Sequence, residues 1–393
     1  MRVLTAVHYW PPHVGGIESE AREQSRRLVA RGHQVTVVSS RIGDERALSF
    51  DDGFPVHKVA ASNVLEDRLR IPYPLYAPKL FALMSRLARD ADVVVAHTHT
   101  FMSTIAAAHA AHRHAKPLVL IQNNPFIEYR FPLNVVQRAA DATIGRYTVR
   151  SADRLVAISE FTAQYLRRLA PQRPVTVMYL GTDRERFFPV DPARRIEIRE
   201  RLGLPADAFV ALTVRRLFYR NGLDTLLDAA TRLRERGAVH VVIGGAGPER
   251  REIEDRIRAD RLTNVHVVGF IPDADLADYY RAADVFVLPT RTAEGFGLVL
   301  MDAAATGVPA IATDSGAPRE IVDDGVTGWL VAPGAPDELA DALVRLVDSP
   351  NMLAAMSCAA LNKSADFTWD RSIDTLEQVL RTAVAEGPDH ARR

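Results

Sequence analysis

The run Asp284-Val-Phe-Val-Leu-Pro-Thr290, with Glu294-Gly295-Phe296-Gly297-Leu298-Val299-Leu300-Met301-Asp302 close behind it, decides the fold class. The first part is a short apolar run of strand length, as expected of a strand buried on both faces of a parallel sheet. The second part is a glycine turn that opens a helix, and such a turn presents free backbone N–H groups to an anion. Strand, glycine loop and helix in that order predict an α/β unit that takes its ligand at the carboxyl ends of the strands. With Leu298–Ala305 helical, Glu294 lies in the loop before the helix and Asp302 about one turn inside it. Both carboxylates are then expected on the ligand side, where they could accept from hydroxyls.

The same alternation extends in both directions and predicts two doubly wound units. In the N-terminal half, Val3–Val7, Val35–Ser39, Val93–Ala96, Leu118–Gln122 and Leu155–Ile158 read as strands, with helical patterns such as Ser19–Arg31 between them. In the C-terminal half, Phe209–Val214, His240–Ile243, Val265–Val268, Val285–Leu288, Ala310–Ala312 and Gly328–Val331 repeat the arrangement. Helices are expected at Pro336–Leu346, Met352–Leu361 and Ser372–Ala385, with the boundary between halves in Tyr179–Asp191.

Composition narrows the function classes. With 393 residues, 47% hydrophobic and 25% charged, the chain is sized for two or three globular domains. The single Cys358 excludes an internal disulfide framework and fits a cytoplasmic protein. No signal peptide and no membrane span is expected, since the apolar runs are strand-sized. The net charge is zero, yet residues 1–190 carry 25 Lys+Arg against 17 Asp+Glu, leaving 24 against 32 for the rest, so the halves stand at +8 and −8. A positive half fits an anionic acceptor or peripheral membrane contact, and it equally fits two halves that attract each other. A nucleic-acid ligand is not expected, because no basic stripe stands out and the pI is about 7.2.

Two glycine turns and an arginine cluster add chemistry. Gly15-Gly16 follows the first strand and precedes the first helix, where backbone must approach a phosphate, a sugar or simply its own turn. Gly244-Gly245-Ala-Gly247 is a similar turn in the second half, and its spacing fails the dinucleotide pattern, against a nicotinamide-linked enzyme. Arg215-Arg216-Leu-Phe-Tyr-Arg220-Asn221-Gly222 ends a strand, and guanidiniums at such a position suit a phosphate.

The order Gly15-Gly16, Arg216-Leu, Gly244-x-x-Gly-Pro-Glu, Glu294-Gly-Phe-Gly-Leu and Gly325-x-x-Gly-Trp-Leu resembles the retaining GT-B glycosyltransferases of family 4, glycosyl transferase group 1. The resemblance spans nearly the whole chain and is densest from Leu212 to Val331. It implies an N-terminal Rossmann-like acceptor-binding domain at 1–185 and a nucleotide-sugar-binding domain at 186–370. The segment 371–393 would then be a helix crossing back to the first domain, followed by a polar tail, with reaction in the cleft between domains.

Carried over by position, the resemblance gives Glu294 the donor sugar, with Gly295, Phe296 and Gly297 bringing backbone amides to its hydroxyls. Leu298 and Val299 would offer N–H groups to the diphosphate, Asp302 would take the ribose where the family usually has Glu, and Arg216 would neutralise the leaving group. Gly15 and Gly16 would approach the same phosphate, and Gly245, Phe270 and Ile271 would flank the nucleotide. Two departures stand out. Asn221 occupies the place of the family's phosphate-binding Lys, with Arg220 beside it as a substitute. Asn123 best matches the family's active-site His, and an amide is no acid or base near neutral pH. His97 matches the family's other histidine. The implied catalytic set is therefore Glu294, Arg216, Asn123 and His97.

A metal at His97-Thr98-His99 is not expected, since residues alternating on a strand face opposite ways and a third ligand is missing. The implied activity is a metal-independent, cofactor-free, front-face transfer from a nucleoside-diphosphate sugar to a hydroxyl on a glycan, a lipid-linked acceptor or a small molecule. A second reading is a non-catalytic nucleotide-sugar-binding partner of another transferase, motivated by Asn123 and Asn221. Arginine-aromatic segments at Arg68–Tyr76 and Pro125–Phe131 are the acceptor-side candidates.

Overall fold

The computed structural model describes residues 1–13, 15–69, 71–125, 133–234 and 239–388. Most of the Pro125–Phe131 candidate, Arg70 and the end of the polar tail therefore lie outside the described residues. The chain forms two compact units, Met1–Tyr179 with Asp370–Arg393, and Leu180–Trp369. The division after Tyr179 falls within the expected boundary stretch Tyr179–Asp191, and the terminal segment groups with the first unit. Leu180 is buried in the second unit, and a Cβ on Gly181 would fall 2.0 Å from the Trp369 nitrogen, so only glycine lets the two backbones touch. The next residue, Thr182, forms a parallel bridge to Thr368 and donates its N–H to the Phe367 carbonyl at 3.1 Å.

In the first unit the strands are β1 (Arg2–Ala6), β2 (Gln34–Arg41), β3 (Leu48–Asp51), β4 (Phe54–Ser62), β5 (Leu75–Tyr76), β6 (Val93–His97), β7 (Leu118–Gln122), β8 (Arg154–Ala157) and β9 (Val175–Val177). Their order is β3-β4-β2-β1-β6-β7-β8-β9, with β5 paired to β4, and only the β3–β4 and β4–β5 pairings are antiparallel. The sequence reading omitted β3, β4, β5 and β9. The β3–β4 hairpin turns on Asp52 and Gly53, both at positive φ, 44° and 87°, as a two-residue type I′ turn requires.

The central strands β6 and β7 are buried along their whole length and mostly apolar, as expected of strands covered on both faces. Leu4, Val94, Leu120 and Leu155 pack with the alanines of helix Met102–Arg113, whose small side chains let it lie close. The terminal helix Trp369–Glu386 buries Ile373, Leu376, Leu380 and Ala383, a single face at helical spacing. Its other contacts are ionic, Arg31 with Asp374 and Glu377, and His33 with Glu377.

The second unit holds β10 (Phe209–Val214), β11 (Val239–Gly244), β12 (Val265–Gly269), β13 (Val285–Leu288), β14 (Ala310–Thr313) and β15 (Gly328–Val331), all parallel, in the order β12-β11-β10-β13-β14-β15. The chain runs outward from β10 to β12 and returns on the other side of β10 as β13. That reversal opens a crevice at the carboxyl ends of β10 and β13, where open α/β sheets bind ligands. The first unit has the corresponding reversal between β1 and β6.

Gly245 closes the turn after β11. Its φ is +132°, and a Cβ there would fall 1.9 Å from the Arg215 carbonyl oxygen, whereas Gly325, also at positive φ, meets nothing within 4 Å. Gly245→Ala must displace backbone, and Gly325→Ala pays only the left-handed strain of about 1–2 kcal/mol. Denaturant unfolding is expected to show the larger loss for Gly245→Ala, and equal losses would contradict this packing.

Candidate functional site

Arg215 is the first residue after β10, and its guanidinium spans the crevice to the loop that follows β13. Nη1 donates to Thr290 Oγ1 at 2.5 Å, and Nη2 donates to Asn221 Oδ1 at 2.9 Å and to Glu294 Oε2 at 3.4 Å. The side chain is 9% exposed against 27% for Glu294. Burial lowers the Arg215 pKa to about 10, with the Glu294 carboxylate opposing the shift and the Arg220 cation adding to it. Among the described residues, Nε is buried without an acceptor.

The loop carrying Glu294 is held by backbone. Glu294 donates its N–H to the Ser315 carbonyl at 2.9 Å and accepts from Ala317 N at 3.0 Å, so the residue is locked to the loop that follows β14. Phe296 is buried against Phe367, and Gly297, at φ 95°, begins helix Leu298–Ala305 without a side-chain cap. The expected helix bounds and the glycine-turn opening are therefore found as read. Leu298 and Val299 form its first turn and are half-buried. Helix geometry leaves the Leu298 and Val299 amides without intrahelical partners, whereas Leu300 N donates to the Gly297 carbonyl at 2.8 Å.

The residues of the arginine cluster differ in what they touch. Arg216 lies over the Phe218 ring, 4.6 Å from its centroid, and Arg215 rather than Arg216 contacts Glu294. Asn221 is buried and works as a bridge. Its Oδ1 accepts from Arg215 and its Nδ2 donates to the Arg216 carbonyl. The Arg215 guanidinium thus lies against the Asn221 side chain, with Arg220 near enough to repel it. Gly245 gives its N–H to the Gly269 carbonyl at 2.6 Å and so has a packing task in the turn. Phe270, 57% exposed, stands at the carboxyl end of β12, and Ile271 packs beneath it in the region of Gly244.

Asp302 is on the helix as expected, and it has a partner that sequence reasoning missed. Thr182 Oγ1 donates to Asp302 Oδ1 at 2.8 Å across 120 residues of chain. Burial raises the Asp302 carboxyl to about 7, opposed by the Thr182 hydrogen bond and by the Arg186 charge.

In the first unit, the expected residues meet around a carboxyl group that the sequence reading did not single out. Glu20, 1% exposed, accepts from Asn123 Nδ2 at 2.6 Å and from Gln24 Nε2 at 2.9 Å, and burial raises it to about 8. Asn123 Oδ1 accepts from Thr98 Oγ1 at 3.1 Å, so the amide is fixed on both sides. His97 is 1% exposed, with Nδ1 4.0 Å from Glu20, and both ring nitrogens lack a well-formed hydrogen bond. Burial lowers His97 to about 4, with Asn123 close enough to oppose the shift, so the ring is neutral near pH 7.

The His97/His99 alternation on one strand does not occur, because β6 ends at His97 and Thr98 takes φ +61°. His99 is held from both sides, by Gln122 Oε1 at 2.9 Å and Asp141 Oδ1 at 3.0 Å. Gly15 lies over the Glu18 carboxylate, whereas a Cβ on Gly16, the first residue of helix Gly16–Ala30, would meet nothing within 4 Å.

Comparison with known proteins agrees across the whole chain. The family model "Glycosyltransferase Family 4" matches residues 14–186, and "Glycosyl transferases group 1" matches residues 194–363. D-inositol 3-phosphate glycosyltransferase 1 of Catenulispora acidiphila is 33% identical, covering 95% of this chain and 92% of its own. A GDP-mannose-dependent alpha-(1-6)-phosphatidylinositol monomannoside mannosyltransferase of Mycobacterium tuberculosis is 30% identical over the full length of both. Among solved structures, sucrose-phosphate synthase of Thermosynechococcus elongatus has a TM-score of 0.81 at 22% identity, covering 98% and 99% of the two chains. Anabaena Alr3699/HepE, in complex with UDP and glucose, also has 0.81, at 21% identity and 97% and 100% coverage. At these identities the structures establish the fold, two parallel-sheet α/β domains of the GT-B kind.

Asp302 gives a pH test. An unfolded Asp titrates near 3.9 and this one near 7, so the fold favours the protonated form. Its contribution to stability is full below about pH 4 and is lost as pH rises through about 7. Asp302→Asn, neutral throughout, is expected to gain on the wild type by on the order of 1 kcal/mol or more between pH 5 and pH 8. A stability difference flat with pH, measured by denaturant unfolding, would show that the carboxylate is not desolvated.

Proposed function

The chain belongs to the group 1 glycosyltransferases, and on that premise we propose that it moves a sugar from a nucleoside-diphosphate donor to an acceptor hydroxyl with retention of anomeric configuration. The observation that carries the proposal is the meeting of Arg215 and Glu294 at the β10–β13 crevice, beside the opening of helix Leu298–Ala305. A carboxylate able to accept from sugar hydroxyls, guanidiniums able to pair with phosphate, and an uncapped helix N-terminus stand together there. These are the demands of a molecule with a sugar at one end of a diphosphate.

In this mechanism the bond from the sugar C1 to the diphosphate oxygen breaks, and the acceptor oxygen bonds to C1 on the same face. The acceptor proton passes to the departing phosphate oxygen. The reaction asks the protein to position the partners and to stabilise the charge left on the diphosphate. Arg215, Arg216 and Arg220 are cations at that end of the crevice, so the proposal is metal-independent and uses no cofactor. The buried, neutral His97 and the doubly anchored Asn123 suit hydrogen bonding to an acceptor better than proton transfer. The named relatives act with GDP-mannose or on inositol phosphates, which makes an inositol-type or lipid-linked acceptor the first to test against the positive N-terminal half. A cytoplasmic setting with peripheral membrane contact remains part of the proposal.

The experiment is release of nucleoside diphosphate when UDP-, GDP-, ADP- or dTDP-sugars are offered with inositol phosphates and glycan acceptors. Turnover that persists in EDTA, with retained anomeric configuration in the product, is the expected result. Glu294→Gln is expected to lower turnover by about tenfold to a hundredfold, the worth of a hydrogen bond to a charged group. Donor binding without turnover across the acceptor panel would favour the non-catalytic partner instead, and inversion at C1 would contradict the front-face course.

A further inference from the structure

The crevice of the second unit contains a cation whose partners do not satisfy it. Arg215 has five N–H donors in a fixed fork, and its contacts use one on Nη1 and those on Nη2. Among the described residues, Nε is buried with no acceptor, on a side chain 9% exposed. Two of the three acceptors, Thr290 Oγ1 and Asn221 Oδ1, are neutral. The third, Glu294, stands at 3.4 Å, whereas a charge-assisted N–H···O bond runs about 2.7–2.9 Å. Arg220 adds a second positive charge that acts on Arg215. Arg215 therefore meets one loosely held carboxylate with a second cation near enough to act on it, and its own charge is only partly offset.

We propose that Arg215 grips the phosphate group that carries the sugar, turning from Glu294 when the donor enters, and so distinguishes nucleoside diphosphates from monophosphates. This rests on the reading of the crevice as the donor site. Three features make Arg215 the gripping residue among the local arginines. Its guanidinium lies between the β10 and β13 loops, whereas that of Arg216 rests on Phe218. Its plane is set in advance by Thr290 on one side and Asn221 on the other, so little side-chain freedom is lost on binding. It also touches Glu294, which places sugar and distal phosphate on adjacent groups and releases the carboxylate for sugar hydroxyls. Asn221 then acts as a positioning residue, holding the fork through Oδ1 while tied to the Arg216 carbonyl.

The test is calorimetric titration of the full chain with UDP, GDP, ADP and dTDP and with the matching monophosphates, with thermal unfolding as a check on folding. For the diphosphate that the wild type binds, Arg215→Gln is expected to weaken affinity at least tenfold and to leave the monophosphate within threefold. Arg215→Gln/Asn221→Lys, which returns a cation from the neighbouring position, is expected to recover diphosphate affinity in part. Equal losses for diphosphate and monophosphate, or an unchanged diphosphate affinity, would overturn the proposal. A loss confined to intact sugar donors would also overturn it, by assigning Arg215 to the sugar. Should Arg215→Gln fail to fold, Arg215→Lys carries the same comparison, with an intermediate loss for the diphosphate alone. A wild type that binds none of the four diphosphates would instead contradict the donor-site reading itself.

Discussion

A guanidinium under the surface between two strand ends is the constraint on which the functional half of this chain depends. Removing a charge from water costs several kcal/mol unless partners replace the solvent. Arg215 receives partial replacement from Thr290, Asn221 and Glu294. Each partner is itself fixed, Asn221 by the Arg216 carbonyl and Glu294 by the backbone of Ser315 and Ala317. The result is a preorganised positive site with an incomplete acceptor set, which is what electrostatic stabilisation of a leaving diphosphate asks for.

The same economy of buried charge appears at two other carboxyl groups. Asp302 and Glu20 are both raised by burial, to about 7 and about 8, and each is held by a neutral hydrogen-bond donor from distant sequence, Thr182 and Asn123. Neutral donors satisfy lone pairs without fixing the ionisation state, so both groups can change charge near neutral pH. In the second unit this places a titratable carboxyl on helix Leu298–Ala305, which follows the loop that carries Glu294. In the first it sets one beside His97 and Asn123, the two residues that resemblance assigned to chemistry.

The central architecture was legible because it is written in uninterrupted apolar runs. Val285–Leu288 and Leu118–Gln122 are strands with the bounds read from sequence, and Leu298–Ala305 is a helix as its glycine turn announced. The strands on one side of the sheet were missed because Leu48–Asp51 and Phe54–Ser62 are partly exposed and mix polar with apolar residues, although Asp52-Gly53 was a hairpin signal. Glu294 was legible as a loop carboxylate. Arg215 was not separable from Arg216, since in a strand-end doublet the local pattern does not say which side chain turns into the crevice. Asn221 looked like a lost charge, and its place as a bridge between the Arg215 guanidinium and the Arg216 carbonyl has no local signal. Thr182 had no signal at all, because its partner Asp302 lies 120 residues away. Where the second unit begins within Tyr179–Asp191 was equally illegible, as Gly181 and Thr182 meet Trp369 and Thr368 near the other end of that unit.

The most direct measurement is a crystal structure of the protein with an intact nucleoside-diphosphate sugar bound. The account predicts Nε or Nη1 of Arg215 within hydrogen-bond distance of an oxygen on the sugar-bearing phosphate, with Glu294 turned to a sugar hydroxyl. A donor whose diphosphate lies away from Arg215, with the Arg215–Glu294 contact still in place, would contradict it.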